Sequence, residues 1–160
     1  AYNIPGRTAT LIEIDTLEKL VDDIGIHSIK DAVGDLEFSK NELEALKDKV
    51  DIYSGNDGET IEFMKMGGKG VVSVASHVVG NEIYDLINHV LNDEVESAEH
   101  LQNQLLPLFD LLFEEPSPGP VKYLLTKTWE DVGSPLMPIT DISSELANKL
   151  LDNFQKIKNN

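Results

Sequence analysis

The sequence contains no cysteine, which excludes disulfides and thiolate chemistry and fits a reducing, cytoplasmic setting. It is also poor in positive charge, with 13 Lys and Arg against 29 Asp and Glu and a formal net charge of -16. A field of that sign disfavours nucleic acid and anionic membranes as partners, and an anionic substrate needs a local basic pocket within it. No apolar run approaches the ~20 residues of a membrane-spanning helix; Gly70 to Val79 comes nearest, at about half that length, and Ser73, Ser76 and His77 interrupt it. The opening residues Ala1 to Thr8 show neither the basic nor the apolar region of a signal peptide. They are expected to be the end of a strand whose beginning lies before Ala1.

Several site motifs are absent as well. Gly67-Gly68-Lys69-Gly70 is not a P-loop, because Phe63 stands where the first glycine belongs and Gly70 where Ser or Thr belongs. Asn56-Asp57-Gly58 is not a calcium loop, since Ile52 and Ser54 replace the preceding carboxylates. His27, His77, His89 and His100 are scattered without the pairing of a zinc site, so no metal is expected.

What is present is a globular pattern, 41% hydrophobic over 160 residues. That is one ordinary domain, and too short for a whole (β/α)8 barrel of ~250 residues. Tyr2 to Thr8 suits a strand running into a loop, and Leu11, Ile14, Leu17, Leu20 and Val21 recur at helical spacing. The apolar run Ile24 to Ile29 predicts a strand ending at Lys30, and Leu36, Phe38, Leu43 and Leu46 predict a helix. Val50 to Tyr53, Glu59 to Met66 and Gly70 to Ser76 then read as strand, helix and strand. Such alternation predicts βαβ units in a parallel sheet.

From Asn81 on only helices are expected. Ile83, Leu86, Ile87, Val90 and Leu91 form one apolar face, and Ala98, Leu101, Leu105, Leu108, Leu112 and Phe113 a longer one. Pro116, Pro118 and Pro120 break the chain, Val121 to Lys127 restarts a helix, and Ser143 or Ser144 opens a last one running to about Phe154. The expected division is 1–92 and 93–160, the second part being a helical appendage.

Lys30, Tyr2 and Arg7 each fall at the carboxyl end of an inferred strand or in the loop after it, the functional end of a (β/α) barrel. A lysine among apolar neighbours can lose its proton and attack a carbonyl. A phenol can shuttle protons, and a guanidinium can hold a carboxylate. The set suits carbon–carbon bond chemistry on keto acids.

Four segments, Tyr2 to Thr8, Ile29 to Leu36, Tyr53 to Asp57 and Gly67 to Ser76, resemble the dihydrodipicolinate synthase family in order and spacing. The Pro-rich Glu115 to Lys122 is similar to the family's segment before a C-terminal helix. The family lies within the pyruvate-dependent aldolases that include N-acetylneuraminate lyase. The resemblance implies an α/β fold, the C-terminal portion of a (β/α)8 TIM barrel from the end of strand five through helix eight, followed by a C-terminal helical region. It implies that Lys30 forms an imine with pyruvate, whose enamine attacks aspartate 4-semialdehyde in lysine biosynthesis through diaminopimelate, with no cofactor beyond that covalent imine. Tyr2 would serve the proton relay and Arg7 would hold the semialdehyde carboxylate. Val72 would line the pyruvate pocket, and Gly55 and Asn56 would lie near the second substrate.

The family's early Gly- and Thr-rich segment and its second relay tyrosine are absent, as is an arginine beside Pro135-Leu136. The implied partners are therefore a homo-oligomer or a separate N-terminal half, and the chain alone is expected to be inactive. The alternatives are another pyruvate-dependent aldolase, which Arg7 disfavours, or a non-catalytic fragment that only associates with a partner chain.

Overall fold

The computed structural model describes residues 1–159, which fall into two compact units, residues 1–73 and the residues from Val74 on.

The first unit is built on three parallel strands, β1 (Tyr2–Asn3), β2 (Ser28–Asp31) and β3 (Asp51–Ser54), in that spatial order. Between them run the one-turn α1 (Pro5–Thr8), then α2 (Ile14–Lys19) and α3 (Leu36–Ala45); α4 (Thr60–Lys65) follows β3. Asp35 starts α3 by accepting hydrogen bonds from the Glu37 and Phe38 amides, at 2.9 and 3.2 Å. Leu17, Ile29, Leu46, Ile52 and Phe63 form the core between sheet and helices, with Ile12, Phe38 and Leu43 packed against it. Full burial of each such side chain stabilises by about 1.5–3 kcal/mol.

The two-residue period of a strand then sorts the rest. Ile29 and Asp31 on β2, and Ile52 and Ser54 on β3, are buried on the helical side, whereas Lys30 and Tyr53 turn to the other. The alternation of strands and helices expected from the sequence is thus present, with three local corrections.

The segment after β1 is not a plain loop, because Pro5 opens a helical turn. β2 begins at Ser28 rather than Ile24; α2 continues as a π-helical turn, Leu20–Ile24, which Gly25 ends at φ +77°, a conformation that suits glycine. Ile24 is accordingly 72% exposed. Gly70 to Ser76 does not form the expected strand. Val71 makes an isolated parallel bridge to Ser54, through Ser54 N to Gly70 O at 2.9 Å and Val72 N to Ser54 O at 2.8 Å.

The second unit is helical, with α5 (Ser76–Leu91), α6 (Val95–Glu114), α7 (Gly119–Thr128) and α8 (Ser144–Lys158). α6 packs on α5 and α8, and α7 packs on the other three. Ile83, Leu86, Leu105, Leu108, Leu112, Leu124, Leu146 and Leu150 fill the interior. Two residues expected on apolar faces, Leu91 and Phe113, are instead 68% and 48% exposed. α5 is grouped with this unit, packs on α6 and α7, and buries Ile83 and Leu86. Ser143 caps α8, its hydroxyl accepting from Leu146 N at 3.2 Å. Among the described residues no helix is long and apolar enough to cross a membrane.

Candidate functional site

Parallel pairing puts Tyr2 opposite Lys30 and Lys30 opposite Tyr53. Cα partners on adjacent strands project from the same face, so the three side chains form one row near the carboxyl ends of the strands. Lys30 is half-buried in the middle of that row, and its Nζ lies 4.4 Å from the centroid of the Tyr2 ring, within cation–π distance. Tyr53 is a member that sequence reasoning did not select. Its separation from Lys30 across the two apolar runs Ile26 to Ile29 and Val50 to Ile52 was the available signal, because aligning those runs aligns Tyr53 with Lys30.

Gly55 stands directly beside Lys30. A Cβ added there would meet Ala32 Cβ at 2.6 Å, Lys30 Cε at 2.9 Å and Asp31 O at 3.0 Å, so no larger residue fits without displacing the lysine or its strand. The close approach is fixed by a hydrogen bond from Gly55 N to Asp31 O at 2.5 Å. Asn56 lies in the same loop, but its amide is committed to Glu59, with Nδ2 donating to Oε2 at 2.8 Å. Val72 is 47% exposed and tied to β3 through its backbone. Arg7 is exposed on α1, outside the row and in the loop that leaves β1.

The helical side of the same strand ends carries a second polar group. Asp31 accepts hydrogen bonds from Val33 N at 2.8 Å and Ser39 Oγ at 2.5 Å. Beside it Glu42 of α3 is fully buried, its carboxyl set against that of Asp31. Burial, and secondly the negative charge of Asp31, push the Glu42 carboxyl up to about 8. Glu42 is therefore mostly a neutral acid at pH 7. A cavity of about 810 Å³ opens at the opposite, amino ends of the strands, lined by His27, Lys49, Asp51, Lys65 and Lys69 among others. It contains none of the candidate residues, and Lys49 and Lys65 are paired there with Asp22 and Glu62.

An amine, a phenol and a second phenol in one row, with a guanidinium on an adjoining loop, can form an imine with a carbonyl compound and move its protons. Residues 1–157 match the model of the dihydrodipicolinate synthetase family. A 4-hydroxy-tetrahydrodipicolinate synthase from Listeria monocytogenes is 39% identical over 149 residues, covering 93% of this chain and 51% of the relative. One from Oceanobacillus iheyensis is 34% identical over 160 residues, covering 98% and 54%.

Among solved structures, dihydrodipicolinate synthase from Bacillus anthracis superposes with a TM-score of 0.91 at 40% identity, over 96% of this chain and 53% of that one. The enzyme from Aquifex aeolicus gives 0.93 at 32%, over 98% and 54%. The chain thus spans about half the length of the relatives it matches. With the family model running through both units, the chain belongs to the dihydrodipicolinate synthetase family.

Proposed function

We propose that this chain carries the imine-forming half of a 4-hydroxy-tetrahydrodipicolinate synthase, a lyase that condenses pyruvate with aspartate 4-semialdehyde. It corresponds to the C-terminal portion of a (β/α)8 barrel, from the end of strand five through helix eight, with the helical region appended. The observation that carries this reading is the pairing of Lys30 and Tyr2 at the carboxyl ends of adjacent parallel strands, 4.4 Å apart from Nζ to ring centroid.

The chemistry follows from those groups. The unprotonated Lys30 amine attacks the keto carbon of pyruvate, and loss of water gives an imine. The imine draws electrons from the methyl group, which loses a proton to become an enamine. The enamine carbon bonds to the aldehyde carbon of the semialdehyde, whose oxygen takes up a proton delivered through the Tyr2 phenol. The substrate's own amino group then attacks the imine carbon, closing the ring and freeing Lys30. Arg7 supplies the charge that holds the semialdehyde carboxylate in an otherwise acidic protein.

A second feature bears on partners. β1 is a two-residue edge strand, and Tyr2 is 47% exposed. An enclosed pocket needs more polypeptide on that side, supplied by a further part of the barrel or a second subunit. The test is mass spectrometry after incubation with pyruvate and borohydride, applied to the enzyme containing this chain and to the chain alone. A pyruvyl adduct on Lys30 is expected in the former. No adduct on Lys30 in the enzyme overturns the reading. An adduct in the enzyme but not in the chain alone assigns the enclosure to the additional polypeptide.

A further inference from the structure

Behind the row of Tyr2, Lys30 and Tyr53, one residue further along each strand, lie Asn3, Asp31 and Ser54, which are 0, 3 and 0% exposed. Each turns its polar group on the loop that leaves its own strand. Asp31 holds Val33 N at 2.8 Å. Ser54 Oγ accepts from Asn56 N at 3.1 Å and donates to Asn56 O at 3.0 Å.

Asn3 reaches furthest along the chain. Its Nδ2 donates to Ile12 O at 2.9 Å, and its Oδ1 accepts from Ile12 N at 3.0 Å. One side-chain amide thereby satisfies both backbone groups of a residue nine positions away, much as a neighbouring strand would. The closed segment between them contains α1 and Arg7. Within it Thr8 Oγ1 lies 3.0 Å from both Ile4 O and Thr10 O, and Ala9 turns the chain at φ +56°.

We propose that Asn3 is a positioning residue for the second substrate. By pinning Ile12 it holds the Arg7 loop where the guanidinium meets the carboxylate of the incoming amino-acid aldehyde, without touching either substrate. The inference rests on the functional reading of Lys30 and Arg7 given above. It separates the two substrates, because Lys30 is carried by β2 and the clamp acts only on the loop after β1.

The experiment is Asn3→Ala in the enzyme containing this chain, read by trypsin cleavage after Arg7 and by steady-state kinetics. Cleavage after Arg7 should accelerate about tenfold or more while cleavage after Lys47 does not. KM for the aldehyde should rise about tenfold, with kcat, KM for pyruvate and borohydride trapping on Lys30 near the unsubstituted values. Unchanged cleavage and KM overturn the proposal. So does a parallel rise in cleavage after Lys47, or a joint loss of kcat and both KM values, since either marks general loosening.

Asn3→Asp keeps the acceptor for Ile12 N and sets an oxygen against Ile12 O, so it should fall between. If Asn3→Ala does not fold, the same readouts on Asn3→Asp decide. An unsubstituted enzyme that neither traps pyruvate nor condenses it overturns the functional reading and with it the substrate role of Asn3, and cleavage after Arg7 then decides the clamp by itself.

Discussion

The Lys30 amine lies over the face of the Tyr2 ring, 4.4 Å from its centroid, because their Cα positions are partners on adjacent parallel strands. The contact uses the ring, whereas a proton relay uses the hydroxyl, and the two can be separated by substitution. Tyr2→Phe should keep the stacking and lower kcat of the enzyme containing this chain by about 10²–10⁴-fold, the range for one general acid–base group. Borohydride trapping should persist on Lys30 in this variant and vanish in Lys30→Ala. Normal turnover in Tyr2→Phe would remove the phenol from the mechanism.

Gly55→Ala should lose imine trapping through crowding of Lys30. The added methyl group would sit 2.6 Å from Ala32 Cβ and 2.9 Å from Lys30 Cε. Such overpacking costs about 1–3 kcal/mol. Denaturant unfolding measured beside trapping separates the two effects, and full trapping in a folded variant would contradict the packing argument.

Glu42 gives a pH dependence of defined sign. Its carboxyl is raised from 4.5 to about 8 in the folded chain, so the folded state holds the proton more tightly than the unfolded one. The stability this confers is complete below pH 4.5 and is lost as pH rises through about 8, a change of about 5 kcal/mol at most. Glu42→Gln, neutral at every pH, should match the parent at pH 4.5 and exceed it at pH 8 in urea unfolding. Equal pH profiles for the two proteins would show that Glu42 is ionised in the fold.

In the helical unit, Glu115 accepts hydrogen bonds from both Ser143 N and Ser143 Oγ at the start of α8. Ser143→Ala removes the cap to Leu146 N and the hydroxyl's bond to Glu115 together while the backbone bond remains, so it should cost about 1–2 kcal/mol. Leu150→Ala, at a fully buried position of the same helix, should cost about 2–5 kcal/mol. Thermal unfolding of the two variants ranks them, and the reverse order would argue against the packing of α8 described above.

The parts of the molecule legible in the sequence are those governed by a local period. Leu36, Leu43 and Leu46 announced α3, and the run ending at Lys30 announced the end of β2. The start of β2 was misplaced because Ile24 is apolar but belongs to the preceding helical turn, which Gly25 ends. Gly70 to Ser76 has strand composition, yet a strand requires a ladder of partners, and the pairing of Val71 with Ser54 is an isolated bridge. Glu42 was passed over because an acid in a helix ordinarily faces water. Its position four residues from both Phe38 and Leu46 placed it on the apolar stripe, and that spacing was the missed signal. The Asn3 clamp depends on a contact nine residues distant and has no signature in periodicity.

Because the row of Tyr2, Lys30 and Tyr53 alternates with the anchoring Asn3, Asp31 and Ser54 on the same strands, the unit tolerates length changes unevenly. One residue inserted or deleted between Ile26 and Lys30 would exchange the two sets, turning Asp31 to the face that carries Tyr2 and Tyr53 and Lys30 into the helical layer. The same change in the loop at Lys47–Val50 alters the spacing between α3 and β3 and leaves the alternation within the strands intact. The number of residues within β2 is thus a stricter requirement of this fold than the length of the loop before β3.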